Sequence, residues 1–423
     1  MRDDEQALLG ALMLDGRQVL ELDLSADDFS TAKGQTVFRA MSRLATNGVA
    51  IEPTTLAEEC EDRDVVMDLA VAGGAPQNAK HYAKSIRKAA KLRRITQAAT
   101  ATLNAAQQKD ADPESLADEL MTQLSTASGS SATWEMPELI AAAVAEIEHA
   151  KAANDSGQAV GIPTGWRAVD RLLCGLRPGR LYVIGARPKM GKTSMALALQ
   201  HNAARAGNHV GFASAEMSAK ECAQRWIAAA AGVDATSLQT GRITQSDQGR
   251  IQTARQSLSS LPIHILDKAG ASPAHIRRQS LAWQRRYGLD LLVVDYLQRL
   301  SPDADSQRRD LTVGAMARAF KNVARDLDIP VVLLAQLSRD LENRPDKRPI
   351  PSDLRDSGEI EQEADVIAFL YRDWVYNENA SPNDAEFLVR GNRQGPAGRA
   401  TLHFEPSFQR WLDRDMVGYE DAA

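Results

Sequence analysis

Apolar residues recur at helical spacing through residues 1–125, as in Ala7, Leu8, Ala11 and Leu12, with almost no strand-like alternation. The pattern predicts an all-α domain over 1–125. Asp15-Gly16, Asn47-Gly48 and Gly73-Gly74-Ala75-Pro76 punctuate it as helix ends and turns. The run Ser125-Thr126-Ala127-Ser128-Gly129-Ser130-Ser131 has no large apolar group to anchor it and reads as linker. Within the expected linker region, 126–160, only 136–149 is amphipathic: Met136, Ile140, Ala143, Val144 and Ile147 share one helical face. That stripe needs a surface, on another subunit or on its own chain. Over 161–423 the texture changes to short β-rich runs alternating with helical ones, at 181–185, 209–215, 261–266, 290–295 and 329–336. This is the signature of an α/β domain. Further strands expected at 366–371, 387–390 and 400–404 would give the sheet a partly antiparallel edge.

Composition narrows the class without choosing within it. Apolar residues make up 43% and charged residues 25%, as in ordinary soluble globular chains. There is no run of 18 or more apolar residues, and the polar, acidic start Met1-Arg2-Asp3-Asp4-Glu5 does not resemble a signal peptide, so a cytoplasmic protein with no membrane partner is expected. Cys60, Cys174 and Cys222 lack metal-ligand spacing and are expected as reduced core residues. A formal net charge of −6 argues against coating nucleic acid by bulk electrostatics but leaves room for one local groove. The densest basic stretch, residues 87–94, is expected as a solvated helix face.

The chemistry concentrates in the second half. Ala186-Arg187-Pro188-Lys189-Met190-Gly191-Lys192-Thr193 follows an apolar strand and precedes the helical run that begins at Ser194, which is the context a P-loop requires. Such a loop wraps backbone N–H groups and a helix N-terminus around phosphates. In it Lys192 neutralises the β- and γ-phosphates of ATP or another nucleoside triphosphate, and Thr193 holds Mg²⁺. Its usual first glycine is Ala186. Downstream, Leu291-Leu292-Val293-Val294-Asp295 ends an apolar strand in a carboxylate suited to orienting the magnesium shell, so Thr193 and Asp295 form the expected metal pair. Glu216 stands where the strand 209–215 ends, at the sheet edge where open α/β sheets bind ligands, and is a candidate base for the attacking water. Ser218 and Glu221 beside it have capping-box spacing. Gln336 closes another strand, placed to sense the γ-phosphate.

Together these motifs resemble the replicative DnaB helicases: Thr164-Gly165 with Asp170, the loop 186–193, Glu216-Met217-Ser218, Asp295-Tyr296-Leu297-Gln298, Gln336-Leu337-Ser338-Arg339 and Asp353-Leu354-Arg355. The run continues to Asp365. More weakly, Glu5-Gln6-Ala7-Leu8-Leu9-Gly10 and Asp27-Asp28-Phe29 look like that family's opening. In that family the P-loop also commonly opens with alanine. The resemblance implies an all-α N-terminal domain plus an α/β RecA-like P-loop ATPase domain. It further implies a homohexameric ring translocating 5′ to 3′ on single-stranded DNA and unwinding forked DNA, with a primase and a helicase loader as possible partners.

The resemblance also assigns residues. Arg355, Asp356 and Gly358 fall at the DNA-gripping loop, and Arg393 at the arginine finger. Two positions depart from the family pattern: Asp356 where glutamate is usual, and Gly391 where lysine is usual, two residues before the finger. Arg390 is one residue out of register with that lysine, and on a strand would face the wrong way. Two other readings compete, a RecA-like recombinase or paralogue and a non-catalytic nucleotide-gated scaffold. The N-terminal helical half and the run 353–365 favour the helicase over the first, and intact Lys192, Thr193, Glu216, Asp295 and Arg393 disfavour the second.

Overall fold

In a computed structural model, residues 3–22, 24–60, 62–72, 74–108, scattered positions within 111–123, and residues 136–301, 309–354 and 357–414 are described. The chain divides into two compact units, Met1–Thr133 and Trp134–Ala423. The Ser125–Ser131 run lies outside the described residues.

The first unit is helical throughout its described part: Asp3–Leu14, Gln18–Glu21, Ala32–Thr46, Pro53–Cys60, Arg63–Ala72 and the long helix Ala79–Ala106, with short 3₁₀ turns. Leu8, Leu9, Leu12, Phe38, Met41, Leu56, Leu69 and Ile86 supply the buried faces, each worth about 1.5–3 kcal/mol when fully withdrawn from water. The carboxylates of Glu5 and Asp28 are buried with them. Glu5 accepts the Ser30 N–H at 2.8 Å and its hydroxyl at 2.9 Å, which satisfies both oxygens and pins the 3₁₀ corner to the first helix. The basic stretch is only partly the solvated face expected: Arg94 Nη2 pairs with Asp28 Oδ1 at 2.6 Å, and Arg93 Nη2 donates to the Asp28 carbonyl at 2.5 Å.

The second unit opens with the helix Met136–Asp155, then builds one nine-stranded sheet. Its strands are β1 (Leu181–Ala186), β2 (Val210–Ser214), β3 (Ile263–Asp267), β4 (Leu291–Asp295), β5 (Val331–Gln336), β6 (Val366–Tyr371), β7 (Asp384–Asn392), β8 (Gly398–Glu405) and β9 (Arg410–Asp413). They lie in the order β3-β2-β4-β5-β1-β6-β7-β8-β9. Through β6 neighbouring strands are parallel, and β6 to β9 form an antiparallel edge. The central strands are apolar on both faces because helices cover both: β1, β2, β4 and β6 are buried at every position. The C-terminal ends of β1, β2, β4 and β5 therefore share one rim, with Ala186 opposite Gln336 and Ser214 opposite Asp295.

Two expectations change here. Cys60 and Cys222 are buried, but Cys174 is exposed, at the left-handed C-cap of the helix Arg167–Leu173. In β7, Ile367 pairs with Gly391 and Ala368 with Val389, so Arg390 is the extra residue of a bulge. The alternation that would turn Arg390 the wrong way is broken there.

Candidate nucleotide site

The strand β1 leads directly into the loop and the loop into the helix Lys192–Arg205. Two residues of the loop have left-handed backbone, Lys189 at φ 70° and Gly191 at φ 88°. Gly191 is required on a second count: a Cβ there would stand 2.9 Å from Trp411 Cζ2 and 3.3 Å from Phe404 Cζ. The stacked pair Phe404–Trp411, ring centroids 4.6 Å apart, thus forms a floor on which only glycine fits.

Above that floor Lys192 and Thr193 converge on Asp295. Lys192 Nζ lies 3.0 Å from Asp295 Oδ1, and Thr193 Oγ1 donates to Oδ2 at 2.8 Å. Asp295, only 1% exposed, has both oxygens engaged. The ammonium also sits 3.7 Å over the Tyr296 ring. Burial pushes the Lys192 pKa down, while Asp295 and then Glu216 pull it back up. The buried carboxylate thus neutralises the ammonium across the loop and β4.

A cleft of about 390 Å³ opens over this pair, lined by Ala186 to Lys189, Gly191 to Ser194, Glu216 and Gln336. Met190 is buried beneath it. Glu216 is exposed two residues beyond the end of β2, while Ser218 and Glu221 make the expected capping box: the Ser218 N–H donates to Glu221 Oε2 at 2.9 Å, and Ser218 Oγ accepts the Glu221 N–H at 3.3 Å. Arg187 turns aside, gripping Glu342 at 2.6 Å and the Leu337 carbonyl at 3.1 Å, so it braces the loop against the chain after β5. Gln336 is held through its backbone: its N–H donates to Gln298 Oε1 at 3.1 Å. Motif reading named Gln298 without assigning it this clamp. Tyr296 under the ammonium and the Phe404–Trp411 floor have no sequence signal of their own, because nothing local links the last two to the loop.

The remaining predicted residues lie elsewhere. The exposed Arg393 donates its backbone N–H to the Asp365 carbonyl at 3.0 Å and its guanidinium to the Gln362 carbonyl. Asp365 caps the opposite end of β1, accepting the Leu181 N–H at 2.7 Å and Lys321 Nζ at 2.6 Å. The whole length of β1 separates Arg393 from its own P-loop, roughly 16–20 Å at the rise of a strand. Gly358 is exposed in the helix Ser357–Glu363. Arg355 and Asp356 lie outside the described residues.

The family model described as DnaB-like helicase C terminal domain matches residues 161–413, and the one described as DnaB-like helicase N terminal domain matches residues 1–88. The chain belongs to the DnaB-like helicase family. It is 33% identical to the replicative DNA helicase DnaB of Geobacillus stearothermophilus over 426 residues, covering 97% of this chain and 93% of that relative. It is 34% identical to the DnaB of Haemophilus influenzae over 430 residues, covering 96% and 92%. A solved structure described as a DnaB-like replicative helicase and its interactions with primase superposes with a TM-score of 0.77 at 29% identity, covering 97% of this chain and 99% of that one. The protein is therefore a replicative DNA helicase and an ATP-hydrolysing enzyme, and the recombinase and scaffold readings fall. No helix among the described residues is long and apolar enough to cross a membrane.

Proposed function

We propose that the motor hydrolyses ATP at sites shared between neighbouring subunits of a homohexameric ring, in which Lys192, Thr193, Glu216, Asp295 and Gln336 act from one subunit and Arg393 from the next. The observation that carries this reading is the separation within one chain. The first five residues gather at one end of β1, while Arg393 is exposed at the other, joined to Asp365. A cation at that distance serves catalysis only on a neighbour's phosphate.

The helix Met136–Asp155 supports the ring. Met136 is 67% exposed and Ile147 68%, with Ile140, Ala143 and Val144 also exposed. The described residues of its own unit leave this stripe uncovered, and a second copy is the occupant proposed. Thr193 and Asp295 are hard oxygen donors 2.8 Å apart, a donor set that suits Mg²⁺. Bound there with nucleotide, the ion would neutralise phosphate charge. Lys192 then exchanges Asp295 for phosphate oxygens, the Glu216 carboxylate accepts the proton of the attacking water, and the Gln336 amide hydrogen-bonds the γ-phosphate until it leaves.

Gln336 is one residue from Leu337, which bridges Leu354, and the Ser338 N–H donates to the Asp353 carbonyl at 2.8 Å. The strand end that senses the γ-phosphate is thus tied to the entrance of the segment 355–358, the proposed DNA-gripping loop. A few phosphate contacts per subunit summed around a ring give sequence-tolerant binding, which fits a chain with net charge −6. Primase and a loader are proposed as further partners of the assembly. The test is a forked-DNA unwinding assay with ATP and Mg²⁺ beside negative-stain imaging. Six-membered rings that unwind only with a hydrolysable nucleotide are expected. Hydrolysis by isolated monomers, or rings that hydrolyse ATP without moving on DNA, would overturn the reading.

A further inference from the structure

Arg372 lies two residues beyond Leu370, which stands opposite Ala186 at the loop end of the sheet. It is 3% exposed, and no carboxylate pairs with it among the described residues. Instead its Nη1 donates to the Lys189 carbonyl at 3.0 Å and its Nη2 to the Pro382 carbonyl at 2.7 Å, while its backbone N–H meets Met190 Sδ at 3.3 Å. The guanidinium stacks 4.7 Å from the Phe404 ring, the same ring that limits position 191 to glycine. Its Nε is buried with no hydrogen-bond partner, and the residue lines the nucleotide cleft.

A buried cation without an anion is costly and needs a reason to be kept. Lysine could not replace it simply, because the two carbonyls are held by separate nitrogens of one planar fork. The carbonyl it holds belongs to Lys189, the left-handed residue at the turn of the loop, and a carbonyl oxygen facing the cradle would repel phosphate. From this we propose that Arg372 is a positioning residue of the phosphate cradle: it ties down the Lys189 carbonyl and supplies an unneutralised positive charge that bound phosphate completes. The proposal rests on the P-loop reading above and adds a residue from outside every motif that defines the loop.

Both ATP and ADP carry the phosphates that the cradle holds, so Arg372→Met weakens both alike. In the full-length protein, the KM for ATP and the Kd for ADP rise on the order of tenfold or more, the scale of a lost hydrogen bond to a charged group. The kcat at saturating ATP stays near wild type. Arg372→Lys keeps a charge but cannot hold both carbonyls, and its KM rises less. Arg348→Met is the control. Arg348 grips Glu386 through Nε and Nη2, each at 2.9 Å, and stacks on Tyr371 beside Arg372, but makes no hydrogen bond to the loop among the described residues. Its loss lowers the melting temperature and leaves KM unchanged. Wild-type KM and Kd in folded Arg372→Met or Arg372→Lys overturn the proposal, as does a change in Arg372→Met no different from that in Arg348→Met. If Lys192→Ala abolishes binding while Arg372→Met binds normally, only the role of Arg372 falls. If the wild-type chain and Lys192→Ala bind nucleotide equally, the P-loop reading falls first and takes this one with it.

Discussion

The ammonium of Lys192 and the carboxylate of Asp295 meet at 3.0 Å although Lys192 opens the helix after the loop and Asp295 ends β4, far apart in sequence. The contact joins the P-loop to β4. Lys192→Ala removes the main protein cation at the transferring phosphate, so hydrolysis should fall to background in a phosphate-release assay. Asp295→Asn should bind nucleotide but lose most hydrolysis and the response to added Mg²⁺. Wild-type turnover in either variant would contradict the assignment.

Glu216→Gln keeps the shape of the side chain and removes its basicity. Glu216 is exposed, and Ser218 and Glu221 complete the neighbouring cap between themselves, so the fold should be untouched. Equilibrium binding of ATP should stay close to wild type while turnover collapses. A parallel loss of binding and turnover would make Glu216 a structural residue.

The apolar stripe of the helix Met136–Asp155 gives a prediction about assembly. Ile140→Asp with Ile147→Asp places two carboxylates on a face left exposed by its own unit, so that unit should melt normally. Sedimentation should then show loss of the hexamer. Intact rings carrying both changes would remove this helix from the subunit interface.

At the edge strand β3, the His264 ring stacks on Tyr287 with centroids 4.1 Å apart, and its Nε2 lies 3.5 Å from His209 Nδ1. Burial first, then His209 and Arg286, push the His264 pKa below its ordinary value of 6.5. The folded state therefore binds fewer protons than the unfolded one, and stability should fall as pH drops through roughly 6.5 and below. His264→Asn should flatten that part of the pH–melting curve. An identical acid slope in the variant would place the effect elsewhere.

The α/β pattern and the loop are legible in the sequence because each rests on local spacing: five short apolar runs for β1 to β5, and Gly191-Lys192-Thr193 between strand and helix. Asp295 and Gln336 are legible as strand ends. What local spacing cannot show is which late residues return to the loop. Arg372 follows β6, while Phe404 and Trp411 come from β8 and β9, and only the antiparallel return of the chain brings the two rings under Gly191. The short strand β9 is hidden because Arg410–Asp413 carries a single buried aromatic among less buried neighbours. The bulge at Arg390 is equally hidden, since an extra residue changes pairing without changing composition.

If each catalytic site is completed across a subunit boundary, mixing subunits restores activity that neither parent has. Arg393→Ala alone should keep the ring and nucleotide binding but lose on the order of 10³ or more in hydrolysis rate, the scale of an arginine finger. Lys192→Ala alone should be equally inactive. Rings assembled from both variants contain some interfaces with an intact Lys192 on one side and an intact Arg393 on the other, and these should recover part of the hydrolysis. Mixed rings of verified composition that hydrolyse no faster than either parent, or full activity from an isolated monomer, would rule out action of Arg393 on a neighbour's site.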